Sequence, residues 1–153
     1  MAKLEVGTRA PAFTLVNQNG TKVSLKDFAG QRIVLYFYPA DDTPGCTKEA
    51  CQFNDHLKAF HSSDVTVLGV SPNSAESHQK FRKKYGLTFD LLVDPDKKVM
   101  EKYGAYGEKM MYGKKVVGVI RSTFVIGPTG KIEQAWYGVK ADGHAARVLA
   151  SLQ

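Results

Sequence analysis

The chain of 153 residues carries two cysteines, and both lie in the stretch Thr43-Pro-Gly-Cys46-Thr-Lys-Glu-Ala-Cys51. That stretch follows directly on the apolar run Ile33-Val-Leu-Tyr-Phe-Tyr38. A strand that breaks at Pro39 and reopens as a helix at Pro44 delivers Cys46 to a helix start. Thr43 suits the N-cap, and Pro44 then takes the first helical position, where its missing N–H leaves nothing unpaired. On this register Cys46 is the third helical residue. Its sulfur meets unpaired backbone N–H groups and the positive end of the helix dipole, which favour thiolate over thiol. The chemistry on offer is that of a nucleophilic, redox-active sulfur, against the alternative of a small buried hydrophobe.

Cys51 stands five residues on. In an intact α-helix the two Cα atoms would be about 8.6 Å apart and roughly 140° apart around the axis. A disulfide needs Cα atoms closer than about 7 Å. If the two form a redox pair, the first turns of this helix unwind each time the bond forms, and the protein passes through two conformations. The alternative for Cys51 is a core-facing residue with no partner. Metal binding fits poorly. The cysteines would need help from His56, His61, His78 or His144, none in a zinc-ligand spacing, and these histidines read as surface residues.

The elements that must hold this site follow from the apolar pattern. Ala12 to Val16 and Thr21 to Leu25 alternate around Asn17-Gln-Asn-Gly20, which predicts a short hairpin capping a sheet edge. Ile33 to Tyr38 reads as a buried strand, Cys46 to Phe60 as a helix and Val65 to Val70 as a second buried strand, together a βαβ unit. Ser74 to Tyr85 is a helix, Phe89 to Val93 a strand, and Lys97 to Tyr103 a short helix. Val116 to Ile126 and Ile132 to Tyr137, joined by Gly127-Pro-Thr-Gly130, predict a hairpin, and Ala141 to Leu152 a closing helix. Parallel units followed by a hairpin and a helix give an α/β protein. Its central mixed sheet is flanked by helices, with a hairpin at the N-terminus, in a thioredoxin-like arrangement. Residues 1–153 read as one domain.

Met1-Ala-Lys-Leu-Glu-Val lacks the apolar stretch of a signal peptide, and no eighteen apolar residues run together, so a soluble, cytoplasmic protein with no membrane contact is expected. In a reducing compartment a pair of cysteines serves as a working disulfide rather than a permanent staple. The net charge of +6 raises the question of nucleic acid. Between Lys97 and Arg121 seven basic residues (Lys97, Lys98, Lys102, Lys109, Lys114, Lys115, Arg121) face two acidic ones, Glu101 and Glu108. Such a run reads first as a solvated surface, and second as a dock for an acidic protein partner.

The residues from Pro39 to Cys46 match the Pro-x-x-x-Thr-x-x-Cys pattern of the peroxiredoxins, and with Cys51 the segment resembles their Q subgroup, the bacterioferritin comigratory proteins. The likeness extends to Pro11-Ala-Phe-Thr-Leu, Gly69-Val-Ser71 and Arg121-Ser-Thr-Phe-Val-Ile126, nearly the whole chain. It implies a thiol peroxidase that reduces hydrogen peroxide and organic hydroperoxides without a cofactor or metal. Cys46 would be the peroxidatic residue and Cys51 the resolving one. Thr43 would hold the peroxide, Arg121 would stabilise thiolate and leaving oxygen, Pro39 would shield the site, and Pro44 and Gly45 would complete the turn. By residue type alone Arg121 is as readily a surface arginine; the resemblance decides. It further implies an intramolecular Cys46–Cys51 disulfide reduced by thioredoxin or a similar dithiol, in a monomer.

Met110-Met-Tyr112 reads either as a rim for organic hydroperoxides or as ordinary core. Two competing functions need other features. A protein disulfide oxidoreductase would carry Cys-x-x-Cys, which is absent. A nucleic-acid-binding module would interleave exposed aromatics with lysines, for which Tyr103, Tyr106 and Tyr112 are the candidates.

Overall fold

The computed structural model describes residues 3–152, so the first two residues of the leader reading lie outside the described residues. In chain order the strands are β1 (Thr14–Val16), β2 (Lys22–Ser24), β3 (Arg32–Phe37), β4 (Val65–Ser71), β5 (Asp90–Val93), β6 (Tyr106–Met111), β7 (Lys114–Val119), β8 (Ser122–Ile126) and β9 (Ile132–Tyr137). The helices are α1 (Pro44–Asp55), α2 (Leu57–Ser62), α3 (Ala75–Tyr85), α4 (Lys98–Lys102) and α5 (His144–Ser151). Seven strands form one sheet in the order β2-β1-β5-β4-β3-β8-β9, and β6 and β7 form a separate pair.

β3, β4 and β5 run parallel, and β8, β9 and the N-terminal hairpin run antiparallel to their neighbours, which is the expected mixed sheet. Alternation along β3 divides the core. Val34 and Tyr36 point to the side packed by Ala50, Phe53, Leu57, Phe60 and Phe81, so α1, α2, α3 and α5 cover one face. Ile33, Leu35 and Phe37 point to the other, where Val99, Met100 and Tyr103 from the α4 segment join Phe13 and Val23. Tyr36 stacks on Phe53 with ring centroids 4.6 Å apart, which fastens the first helix to the central strand.

Three elements depart from the sequence reading, the first being β6, for which no strand is predicted. The helix expected over Cys46 to Phe60 breaks at His56 (φ −97°, ψ 5°) into α1 and α2. The bend lets Ala50 and Phe53 on one side, and Leu57 and Phe60 on the other, all reach a twisted sheet that a straight helix would leave. The strand expected over Val116 to Ile126 is two strands. At Ile120 and Arg121 the chain leaves the β6–β7 pair and enters the main sheet, guided by the Ile120 N–H donating to the Ala105 carbonyl at 2.7 Å. The β8–β9 hairpin and its Gly127–Gly130 turn stand as expected. Among the described residues no helix is long and apolar enough to cross a membrane.

Candidate active site

β3 ends in the middle of the sheet, and its carboxyl end feeds the loop of residues 38–43 and then α1. Thr43 is the N-cap in backbone terms, extended at φ −94° and ψ 156°, with Pro44 at the start of the helix. Its hydroxyl does not cap. It donates to the Ala40 carbonyl at 3.0 Å, so its lone pairs are not spent on the helix.

Cys46 is the third helical residue, as expected, and is buried. Arg121 arrives from the crossover between β7 and β8. Its Nη2 donates to Cys46 Sγ at 3.4 Å and its Nη1 to Glu49 Oε1 at 2.6 Å. The guanidinium fork thus spans sulfur and carboxylate at once, which a surface arginine would not do. Gly45 is what lets it in: a Cβ there would lie 3.1 Å from Arg121 Nη2. Burial lowers the Arg121 pKa, but the charges of Glu49 and Cys46 outweigh it and leave the guanidinium more firmly protonated than usual.

Glu49 is the residue that sequence reasoning missed. It follows Cys46 by three positions, one turn along the same helix face, and that spacing was the available clue. The side chain is fully buried, and Oε2 has no hydrogen-bond partner. The nearby Tyr36 hydroxyl is likewise buried without a partner. Burial pushes the Glu49 carboxyl up to about 7, against the pull of Arg121 in the other direction. Burial, then the negative charges of Glu49 and Cys46, hold the Tyr36 phenol well above its ordinary range.

This carboxyl has a consequence for stability. An unfolded glutamate ionises near 4.5 and the folded one near 7, so between these values the unfolded chain binds fewer protons. Folding is therefore favoured less as pH rises through that window and levels off above it. Glu49→Gln keeps an oxygen for Arg121 and removes the ionisation. Relative to the parent it is expected to gain roughly 2 to 3 kcal/mol between pH 5 and pH 8 in urea titrations. Identical pH slopes for the two proteins would refute the assignment.

Cys51 lies in the same continuous helix, half-buried against the core that α1 shares with the sheet, and both cysteines are free. Burial, then the charge of Asp55, raises its thiol pKa. Pro39 is half-buried and Pro44 exposed at the rim.

The histidine reading needs correction. His78 and His144 are buried, not on the surface, because each is satisfied inside: His144 Nε2 lies 2.8 Å from the Thr123 hydroxyl, and His78 lies against Asp41. Burial, then Arg147 and Arg121, pushes His144 down to about 4, so it is neutral near pH 7. Among the described residues no cluster of three metal-ligating side chains exists. Met110 and Tyr112 are 67% and 98% exposed at the β6–β7 turn, which removes the core reading for that segment. Of the three tyrosines near the lysines, Tyr103 is fully buried and Tyr106 half-buried, so the interleaved exposed face of a nucleic-acid binder is not formed. A hollow of about 280 Å³ lined by Leu25, Phe28, Ile33 and Ile126 sits at the amino end of β3, the far side of the sheet from Cys46.

A lone helix-start thiol bridged to an arginine, without a Cys-x-x-Cys partner, points to the class of thioredoxin-like enzymes that reduce peroxides with a thiol. The comparisons agree. The chain belongs to the AhpC/TSA family, whose profile matches residues 6–135. A putative peroxiredoxin of Mycobacterium tuberculosis is 53% identical over 150 residues, covering 98% of this chain and 96% of that protein. Peroxiredoxin Bcp of Bacillus subtilis is 43% identical, with 98% and 96% covered. Among solved structures, the bacterioferritin comigratory protein of Xanthomonas campestris, studied for its alkyl peroxide reduction activity, superposes with a TM-score of 0.89. It is 41% identical, with 97% of each chain covered. A mutant of Xylella fastidiosa PrxQ gives 0.92 at 40% identity, with 99% and 97% covered. The fold is that of the thioredoxin-like peroxiredoxins, and the protein is a thiol-dependent peroxidase of the Bcp and peroxiredoxin Q kind, with a peroxide substrate and a thiol reductant.

Proposed function

We propose that Cys46 is the peroxidatic residue and Cys51 the resolving one, in a single-domain, monomeric, cytoplasmic enzyme of residues 1–153. The observation that carries this reading is the Arg121 fork, which holds Cys46 Sγ at 3.4 Å and Glu49 at 2.6 Å at the start of α1. The Cys46 thiolate attacks one oxygen of the hydroperoxide and the O–O bond breaks. The other oxygen leaves as alkoxide or hydroxide and takes up a proton to become alcohol or water. Sulfur keeps one oxygen as sulfenic acid. Arg121 faces the charge that shifts from sulfur to the leaving oxygen, and the Thr43 hydroxyl holds the peroxide. Pro39 packs the wall of the site, and Pro44 and Gly45 fix the turn that brings Thr43 and Cys46 together. No metal or organic cofactor takes part.

The Cys51 thiol then displaces the hydroxyl of the sulfenic acid, giving a Cys46–Cys51 disulfide and water. Both residues lie in one continuous helix, so α1 unwinds at its start for this bond to form. A thioredoxin-type dithiol reduces it. Organic hydroperoxides join hydrogen peroxide as substrates, a reading supported by the likeness to the Xanthomonas campestris protein.

Stopped-flow mixing of reduced protein with one equivalent of hydrogen peroxide tests the scheme. The readout is the fluorescence of Trp136, which packs against the core shared by α1 and α5. Rapid consumption, a Cys46–Cys51 disulfide by mass spectrometry and recovery on adding a thioredoxin-type dithiol are expected. Peroxide consumed with Cys51 left as a thiol would remove the resolving step. Consumption no faster than with a free thiol would remove Cys46 from the chemistry.

A further inference from the structure

One loop upstream of Cys46 lies a second set of buried polar groups, which the reaction as described does not use. Asp41 Oδ1 accepts the Tyr38 hydroxyl at 2.6 Å. Its Oδ2 accepts the Ser77 hydroxyl at 2.8 Å and faces His78 Nδ1 at 2.7 Å. His78 Nε2 faces the Leu92 carbonyl oxygen of β5 at 2.9 Å. The imidazole has no exposure and the Asp41 side chain only 4%. A carbonyl oxygen can only accept, so Nε2 carries a hydrogen. A second hydrogen lies between Nδ1 and the carboxylate, since neither could face the other with lone pairs alone in a dry site.

The next residue is bound to the same helix. Asp42 is in the left-handed region at φ 58°, which aspartate adopts more readily than most residues with a side chain. The Tyr85 hydroxyl donates to its Oδ1 at 2.6 Å and Lys84 Nζ to its Oδ2 at 2.8 Å. The Asp41 backbone N–H donates to Asn73 Oδ1 at 2.9 Å, just before α3. Two consecutive aspartates thus bolt the loop to α3 and its approach. The Thr43 hydroxyl closes the loop on Ala40. Beyond Thr43 these ties pause until the far end of α1, where Asn54 Nδ2 donates to the Gly86 carbonyl at the end of α3 at 3.1 Å.

We propose that His78 is a positioning residue for peroxide reduction, gripping Asp41 so that the loop of residues 39–43 stays fixed to α3 while the start of α1 opens and closes behind it. The inference rests on Cys46 being the thiol that meets peroxide. Asp41 is two residues from Thr43, so a slack loop would let the threonine hydroxyl and the helix start drift together.

Two variants separate positioning from plain stability. His78→Asn puts an amide donor where Nδ1 stands and keeps the Asp41 bond. His78→Gln puts one where Nε2 stands and keeps the Leu92 bond. Each retains one buried hydrogen bond, so urea titrations are expected to find them similarly folded. The rate of Cys46 alkylation by iodoacetamide and kcat/KM for hydrogen peroxide are then compared on folded protein. For His78→Asn both stay within about threefold of the parent, whereas for His78→Gln both fall about tenfold or more, the scale of a misplaced reacting group. Equal rates in the two variants overturn the proposal. Should neither fold, Ser77→Ala removes a single hydroxyl from Asp41 at the start of α3. A slowing clearly greater than about threefold supports the proposal and a rate within about threefold of the parent overturns it. Parent protein that alkylates at Cys46 but leaves peroxide untouched would defeat the peroxidase reading instead, and alkylation alone then decides the role of His78.

Discussion

Replacing Cys46 with serine is expected to lower the second-order rate of peroxide consumption by about 10⁴-fold or more, the scale on which enzymes lose rate with their nucleophile. Serine is close in size, and its oxygen can still face Arg121, so the fold and the Arg121 to Glu49 bond at 2.6 Å should persist. What disappears is the chemistry. An alcohol is scarcely ionised at neutral pH and has no accessible counterpart of sulfenic acid, so no oxygen can be taken from the peroxide. The informative control is Cys51→Ser, which should retain one rapid equivalent of consumption and then stall with dithiol present. A Cys46→Ser protein that still consumes peroxide at the parental rate would mean the reacting sulfur is Cys51, and the roles assigned along α1 would reverse.

Arg121→Leu is expected to reduce kcat/KM by roughly 10²- to 10³-fold, the range seen when a donor to developing charge is removed. Two interactions go together, because one guanidinium serves Cys46 Sγ at 3.4 Å and Glu49 Oε1 at 2.6 Å. Arg121→Lys should recover only part of the rate, since a single ammonium cannot present the two divergent N–H groups of the fork. The stability effect carries a pH signature. Glu49 ionises near 7 in the parent, and without Arg121 its pKa rises further, so the variant keeps the proton and is destabilised by up to about 1.4 kcal/mol more at pH 8 than at pH 5.5. At pH 5.5 the carboxyl holds its proton in both proteins, and this pH-dependent part disappears. Urea titrations at the two pH values, with Glu49→Gln added on top of Arg121→Leu, give the check. A destabilisation that does not change with pH would mean that Glu49 does not depend on Arg121.

The parts of the site that were legible in sequence were those with local rules. Pro44 after Thr43 sets the helix start, and that placed Cys46 correctly at the third position. Alternating and continuous apolar runs set β3, β4 and the hairpins around Asn19-Gly20 and Gly127–Gly130. What was not legible came from contacts distant in the chain. Glu49 reads as a solvated helix residue until Arg121, 72 positions later, folds over it. His78 reads as a surface residue until β5 and the loop before α1 close on its two nitrogens. β6 went unseen for a different reason: Tyr106-Gly-Glu-Lys-Met-Met111 has glycine, glutamate and lysine where strands favour branched residues, and its pairing with β7 compensates. The break at His56 carries no glycine or proline and is imposed by the sheet beneath.

β3 has hydrogen-bonded neighbours on both sides, β4 and β8, and every residue from Ile33 onward is buried. Its amides therefore belong to the slowest-exchanging part of the molecule, which opens only when the whole protein unfolds. The first turn of α1, a few residues further on, has an exposed rim at Thr43 and Pro44 and is the part that must open for the proposed disulfide to form. On the proposed mechanism a steep gradient of local stability falls within about ten residues, from the most protected strand to the helix start that opens. Formation of the proposed Cys46–Cys51 disulfide would then reshape one end of one helix while the sheet keeps its pairing.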